Sequence, residues 1–182
     1  MSDPDQALSA VARGCPRLRN INLAAGFKLG TAENMDCTVL PFVKYCSELS
    51  RLVLRECPIG DNLLRPLAIK SRHLKHLDVG GCGKEVTDSA IRMIAVGCPQ
   101  LRFLDISDSS CSAWALQIGF PELVYLNICL CFMNPNDVLT AIMEGCPKLE
   151  HLHGDEVELA EEEEDALSLI IRQMTNLEIN WF

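Results

Sequence analysis

The feature that most constrains this fold is a leucine pattern that recurs along the chain. In its clearest copy, the segment 87–108, a predicted helix is followed by apolar residues with the spacing LxxLxL. The apolar face of that helix consists of Ile91, Ile94, Ala95 and Cys98. These positions are i, i+3, i+4 and i+7, which share one side of an α-helix. Gly97 predicts the end of the helix, because glycine permits a left-handed residue there, and a proline follows two residues later.

The same register recurs six more times. The residue three positions before the first leucine marks each copy, and the markers are Cys15, Cys46, Ser71, Cys98, Phe120, Cys146 and Met174. Successive markers lie 22 to 31 residues apart. A period of roughly 20 to 30 residues with LxxLxL is typical of a leucine-rich-repeat solenoid, in which each unit buries its apolar face against the next. The sequence therefore predicts an α/β solenoid of about six to seven repeats.

Three positions depart from the pattern. The fifth copy is the shortest, and Ala113, Leu116 and Gln117 give it a poor helical face. In the sixth copy Gly154 takes the third apolar position and the acidic segment follows directly, so we expect the solenoid to loosen there. Pro41 lies within the predicted second helix, 34–45, and we expect the first half of that helix to be irregular.

Composition and charge favour one domain, residues 1–182, with an acidic insertion at 155–165. The chain has 25 acidic and 16 basic residues, and eight of the acids lie within 155–165. This segment is either a solvated loop that leads into the positive end of the last predicted helix or an acidic patch for a basic partner.

The chain lacks the basic footprint of a nucleic-acid-binding protein. It also lacks a long apolar run and a signal-peptide pattern, so we expect no membrane association or secretion.

Ten cysteines raise the question of disulfides, metal binding or redox chemistry. Their spacing instead favours structural thiols, because four fall on apolar helical faces: Cys15, Cys46, Cys98 and Cys146. A second group lies five residues after a strand leucine, where the chain turns, and consists of Cys57, Cys82 and Cys131. We expect these side chains to form hydrogen bonds with neighbouring backbone. Many free thiols are typical of a reducing compartment, which indicates a cytoplasmic or nuclear protein.

Sequence motifs give little support for an enzyme. The chain has no glycine-rich phosphate loop, no HExxH and no GxSxG. His151 and His153 alternate along a predicted strand and could share a face with His76 and Asp78. A zinc site needs three or four converging ligands, so we interpret these histidines as exposed strand residues. We predict no catalytic residue, no metal site and no cofactor.

The repeats resemble the cysteine-containing leucine-rich repeats of F-box proteins. The shared pattern is Cys-Pro-x-Leu-x-x-Leu-x-Leu, then Gly-Cys, then a Thr-Asp that opens the next helix. It appears here as CPRLRNINL, LKHLDVGGC, VTDSAIRMIAVGCPQLRFLDIS and CPKLEHL. The resemblance implies a curved domain with short parallel strands on the concave side and helices on the convex side. It also implies a role in recruiting substrates to cullin-RING ubiquitin ligases of the SCF type.

In that family an upstream F-box grips the adaptor of the ligase. About six residues precede the first repeating helix here, so we expect no F-box within this chain. The sequence is also similar to the antagonist-of-mitotic-exit type, which has the repeats alone. We expect a protein-interaction module that is either the substrate-recognition part of such a receptor, with ligase components bound through a missing N-terminal segment, or a relative that lacks the F-box. The alternative is a scaffold with no ubiquitin connection.

We predict that the binding face is the concave sheet, because the positions between and after the leucines of LxxLxL point outward. The candidate partner-binding residues are Arg51, Arg55, His76, Asp78, Phe103, Asp105, Tyr125, Asn127 and His151. Arginine and exposed aromatic residues dominate the energy of many interfaces. We therefore expect Phe103, Tyr125 and Arg51 to anchor a protein partner. The alternative is that these are ordinary surface residues of the sheet.

Overall fold

Helices and short strands alternate along the chain in the computed structural model, which describes residues 4–24, 32–155 and 177–181. The helices are α1 (Pro4–Gly14), α2 (Ala32–Tyr45), α3 (Asp61–Lys70), α4 (Asp88–Gly97) and α5 (Pro135–Gly145). The strands are β1 (Asn20–Asn22), β2 (Arg51–Val53), β3 (His76–Asp78), β4 (Phe103–Asp105), β5 (Tyr125–Asn127), β6 (His151–Gly154) and β7 (Glu178–Trp181). No helix in these ranges is long and apolar enough to cross a membrane.

The strands form one parallel sheet in the order β1 to β7. Neighbouring strands pair without any shift in register, so the second apolar residue of each LxxLxL motif aligns with its counterpart across the sheet. From β2 to β6 these aligned residues are fully buried: Leu52, Leu77, Leu104, Leu126 and Leu152. They join the apolar helical faces in one core that continues from repeat to repeat. The predicted α/β leucine-rich-repeat solenoid is confirmed.

Helix α4 illustrates how neighbouring repeats fit together. Its predicted apolar face is buried, and Ile91 and Ile94 are completely inaccessible. The helix ends at Gly97 as predicted, but the reason differs, because Gly97 does not adopt a left-handed conformation. A Cβ atom at this position would lie 2.0 Å from the carbonyl oxygen of Ala68 in α3. Glycine is therefore required here by the close approach of α3 and α4.

Only some of the irregularities expected from the sequence are found in the structure. The fifth repeat has only a short 3₁₀ helix, Ala113–Ala115, in place of an α-helix, as its poor apolar pattern indicated. The expected irregularity at Pro41 is wrong, since α2 runs through it to Tyr45. Proline lacks the backbone N–H that would donate to the carbonyl group of Cys37, and Cys37 is exposed. The expected loosening is also wrong at Gly154 itself, because β6 includes this residue and pairs with β7. The predicted acidic insertion lies outside the described residues except for Asp155.

Two marker cysteines form hydrogen bonds to the preceding repeat. Cys46, Cys98 and Cys146 are buried, as predicted. The thiols of Cys46 and Cys98 donate to the carbonyl oxygens of the preceding markers, Cys15 and Ser71, over 3.5 and 3.4 Å. The prediction for Cys15 is wrong, because its side chain is exposed. No described repeat precedes Cys15 to supply the matching carbonyl group and cover.

The turn cysteines form the second set of links between repeats. Cys57, Cys82 and Cys131 each donate to the last apolar residue of a preceding strand segment. The acceptors are the carbonyl oxygens of Leu23, Leu54 and Ile106, at 3.3, 3.1 and 3.1 Å. The predicted hydrogen bonds to neighbouring backbone are confirmed. All ten cysteines are free thiols, and burial raises the pKa of Cys82 to about 12.

Candidate functional site

The sheet register brings the predicted mid-strand residues into one row on the face opposite the helices. Backbone pairing aligns Arg51 with His76, His76 with Phe103, Phe103 with Tyr125, and Tyr125 with His151. Arg51 is exposed, and the other four are partly exposed. Because neighbouring parallel strands lie about 4.8 Å apart, side chains in one row are close enough to touch. The predicted row is therefore continuous across five strands.

Four members of this row form a stack. The rings of His76 and Phe103 are 3.8 Å apart between centroids and inclined by 13°. The rings of Phe103 and Tyr125 are 4.3 Å apart and inclined by 3°. At the other end, Nη1 of Arg51 lies 3.2 Å from Nδ1 of His76. We call Arg51, His76, Phe103 and Tyr125 the concave stack. Each ring face inside it contacts another ring, so the ring edges point toward solvent.

His76 is neutral within the concave stack. Burial and then the charge of Arg51 lower its pKa from 6.5 to about 4. Its Nδ1 therefore accepts a hydrogen bond from Arg51, and the ring proton is assigned to Nε2. Nε2 has no hydrogen-bond partner among the described residues. The stack consequently has a single full charge, which is the guanidinium group at its exposed end.

The far end of the row differs from the sequence prediction. His151 shares the register, but its Nδ1 lies 3.2 Å from Oε2 of Glu178 on β7. The ring of His153 contacts Tyr125 instead, at 5.0 Å between centroids and an inclination of 35°. The alternation of the strand predicts both histidines on the outer face, but only His151 is among the candidate partner-binding residues. Their alternation could not indicate which ring turns toward Tyr125.

The last residues of β3, β4 and β5 form a second row of predicted residues, which closes the turns that follow these strands. The side chains of Asp78, Asp105 and Asn127 accept hydrogen bonds from the backbone N–H groups two residues later, at 3.0 to 3.1 Å. Asn22 does the same in the first repeat. Such Asx turns are local structure. The expectation that this whole row is accessible is wrong, because Asp78 and Asp105 are only 8% and 1% exposed.

Arg55 lies over these two buried carboxylates. Its Nε donates to Oδ2 of Asp78 over 3.2 Å, and its Nη2 donates to Oδ2 of Asp105. Asp105 also accepts hydrogen bonds from Asn127 at 3.0 Å and from the Ser107 hydroxyl at 2.6 Å. Burial and the charge of Asp105 raise the pKa of Asp78, and the guanidinium of Arg55 opposes that shift. These residues form a charged cluster beside the concave stack, at the ends of β3 and β4, with 41% of the Arg55 side chain exposed.

A basic edge adjoins the concave stack where the strands begin. Lys75 and Arg102 immediately precede His76 and Phe103, both are exposed, and the backbone N–H of Arg102 donates to the carbonyl oxygen of Lys75 over 2.8 Å. Neither these two side chains nor Arg51 forms an ion pair with a carboxylate in the described part of the chain. The exposed cations of Lys75 and Arg102 therefore adjoin the row where β3 and β4 begin, and Arg51 lies at the end of the row itself.

The geometry does not assemble the metal site considered from sequence. His76 and His151 lie on β3 and β6, with two strands between them. Within the described ranges, no group of three or more histidine, cysteine, aspartate or glutamate side chains could hold a metal ion. The chemistry available on this face is contact with another molecule through ring edges, cations and hydrogen-bonding groups.

Comparisons with known proteins support the repeat type. No protein-family profile matches the chain. It is 29% identical over 138 residues to the F-box protein SKIP1 of Arabidopsis thaliana, covering 59% of this chain and 43% of that protein. It is 30% identical over 106 residues to F-box/LRR-repeat protein 4 of Bos taurus, covering 57% of this chain and 16% of that protein. The chain thus spans less than half the length of either relative.

One solved structure supports the fold. In the crystal structure of the Rad7 and Elc1 complex in yeast, one chain superposes with a TM-score of 0.55 and 16% identity. The match covers 98% of this chain and 66% of that one. Together with the sequence relatives, it supports a leucine-rich-repeat protein whose distant homologues include F-box/LRR proteins. These distant matches do not distinguish the repeat-only subtype.

Proposed function

We propose that this chain is a protein-recognition module and that the concave stack is its principal contact surface. The observation that carries the proposal is the fixed row of Arg51, His76, Phe103 and Tyr125 across four consecutive strands. Ring stacking restricts the side-chain rotamers before a partner arrives. Most of the side-chain entropy that binding would otherwise cost is therefore already lost during folding, before a partner arrives. Tyrosine and arginine are also among the residues that contribute most to binding energy.

The charges around the stack favour a partner with acidic residues beside an apolar or aromatic anchor. Aromatic ring edges carry partial positive charge, and they are the part of each ring that faces solvent here. Lys75 and Arg102 extend this positive character along the basic edge. Carboxylates on a partner would thus find unpaired cations on one side and ring edges on the other. Such complementarity increases association rate and specificity more than it increases affinity.

The resemblance of the repeats and the names of the two relatives support the finer proposal. We place the module in an SCF-type ubiquitin-ligase receptor, as its substrate-recognition repeats, or in a relative that lacks the F-box. In either case it acts in the cytoplasm or nucleus and performs no catalysis itself. Its partners would be a protein substrate on the concave face and, in the first case, ligase components bound through other parts of the protein. The second candidate is a scaffold with the same surface and no ubiquitin connection.

The direct test compares proximity labelling by the wild-type protein and by the double variant Phe103→Ala/Tyr125→Ala in cells. Proteins that lose labelling in the variant are then purified and titrated calorimetrically. We expect the double variant to bind at least roughly 2 kcal/mol more weakly, which is about thirtyfold in Kd. Folding should change little, because neither ring belongs to the buried core.

Phe132→Ala is the matched control, because Phe132 is an exposed phenylalanine outside the concave stack, at 88% exposure. Normal binding by the double variant would refute the site. If reversal of the charges of residues 161–164 abolished binding instead, the acidic segment would be the contact. Absence of every cullin-ligase component from the labelled set, with clients retained, would favour the scaffold.

A further inference from the structure

The irregular fifth repeat leaves part of the convex surface uncovered. The helices α3 and α4 pack so closely that Gly97 touches the backbone of Ala68. The next repeat places only the 3₁₀ helix Ala113–Ala115 beside α4. A regular repeat would put an α-helix at that position. A groove therefore crosses the outer side of α4, from the end of α3 to the segment around Trp114 and Ile118.

The groove exposes more apolar side chain than a helix surface facing water needs. Ile69 and Val96 are 67% and 70% exposed, and Trp114 and Ile118 are 50% and 42% exposed. All four line the same groove, with Met93 partly buried between them. Scattered single apolar residues are normal on protein surfaces, but contiguous ones mark interaction sites. This patch is on the face opposite the concave stack.

The charges that line the groove are all positive. Arg72 and Arg92 are its only charged lining residues, and neither forms an ion pair with a described carboxylate. The guanidinium carbon of Arg92 lies 3.8 Å from the centroid of the Trp114 ring. Its Nη1 also donates to the carbonyl oxygen of Trp114 over 2.9 Å. These contacts hold one cation at the groove wall, where it can meet an acidic side chain.

We infer that this convex groove binds an amphipathic α-helix of a partner protein, with acidic residues flanking its apolar stripe. The open side of α4 is where the repeat architecture ordinarily supplies a helix. The apolar residues match the stripe of such a helix, spaced i, i+3, i+4 and i+7. The two arginines match acidic residues at its margins. The site acts independently of the concave stack.

The probe for this inference is a phage-displayed library of helix-biased random peptides, selected on the full chain. The Trp181→Phe variant leaves Trp114 as the one tryptophan, so its fluorescence reports whether the groove is occupied. We expect selected peptides to contain an apolar stripe with more acidic than basic residues, and to shift the Trp114 emission. Val96→Glu should weaken their binding by roughly tenfold or more, because it places a carboxylate in the apolar groove.

Val11→Glu is the matched control, since Val11 is a 46% exposed valine on α1, outside this groove. This variant and Phe103→Ala/Tyr125→Ala should both bind the selected peptides normally. Peptides that tolerate Val96→Glu, a selection that returns basic peptides, or one that returns no binder would each overturn the inference. Self-association in sedimentation that Val96→Glu abolishes would also overturn it, by assigning the groove to a second copy.

Discussion

Removal of the Arg55 charge should destabilise the fold by exposing the repulsion between two buried carboxylates. Asp105 is 1% exposed, Asp78 is 8% exposed, and both contact Arg55. Arg55→Met is the informative change, because methionine retains an apolar stem while removing the guanidinium. Loss of one partner from a buried ion pair costs about 3–5 kcal/mol. Since 41% of the Arg55 side chain is exposed, water screens part of this effect, and we expect about 2–3 kcal/mol.

The assay is urea unfolding followed by far-ultraviolet circular dichroism, with the free energy of unfolding compared between variants. Asp78→Asn in the Arg55→Met background should recover at least about 1 kcal/mol. It removes one charge, and its amide oxygen can still accept the turn hydrogen bond, as Asn22 does in the first repeat. Arg19→Ala is the control, because the Arg19–Glu48 pair is exposed and should contribute about 0.5 kcal/mol or less.

The cost of Arg55→Met should also depend on pH. The pKa of Asp78 is already raised in the folded protein, and loss of Arg55 should raise it further. A carboxyl group with a raised folded-state pKa destabilises the fold above that pKa, and the penalty disappears as pH falls toward the unfolded value. The variant should therefore approach the wild type in stability on acidification. A cost below about 0.5 kcal/mol near neutral pH, or one independent of pH, would refute this account.

Three further outcomes test the packing and the titrating groups. Gly97→Ala should cost about 2 kcal/mol or more in urea unfolding, because its Cβ would overlap backbone, whereas Gly14→Ala, with nothing within 4 Å, should not destabilise. In native thiol labelling Cys15 should react promptly and Cys98, whose pKa burial raises to about 12, should react only after unfolding; equal rates would contradict the burial. Because the folded-state pKa of His76 is about 4, below its ordinary 6.5, stability should fall as pH drops between those values, and His76→Phe should remove that part of the pH dependence.

The fold could be predicted because its information is local and repeated. The LxxLxL spacing fixes which strand residues face the core, and the register of parallel strands then follows from alignment of the repeats. The same parity placed His76, Phe103 and Tyr125 together on the outer face. A side chain that alternates with buried leucines on a three-residue strand has few other directions available.

The errors came from contacts that depend on distant side chains. Asp105 has the parity of an outward residue, but Arg55, two repeats earlier in the chain, folds back over it and closes it from water. Cys15 has the sequence pattern of a buried marker, yet burial at that position requires a preceding repeat. The choice between His151 and His153 depends on β7, because Nδ1 of His151 contacts Oε2 of Glu178 on that strand while the ring of His153 contacts Tyr125. The sequence pattern within a single repeat does not indicate these contacts between residues of different repeats.

The concave stack also has a mechanical consequence. Bending a solenoid more tightly brings its inner side chains together before its backbones approach. The rings of His76, Phe103 and Tyr125 are already 3.8 and 4.3 Å apart, which leaves little space for compression between aromatic faces. The row therefore acts as a stop against tighter curvature in the central repeats. Opening the arc would separate the rings instead of compressing them, so the stack limits the curvature of the central repeats in one direction only.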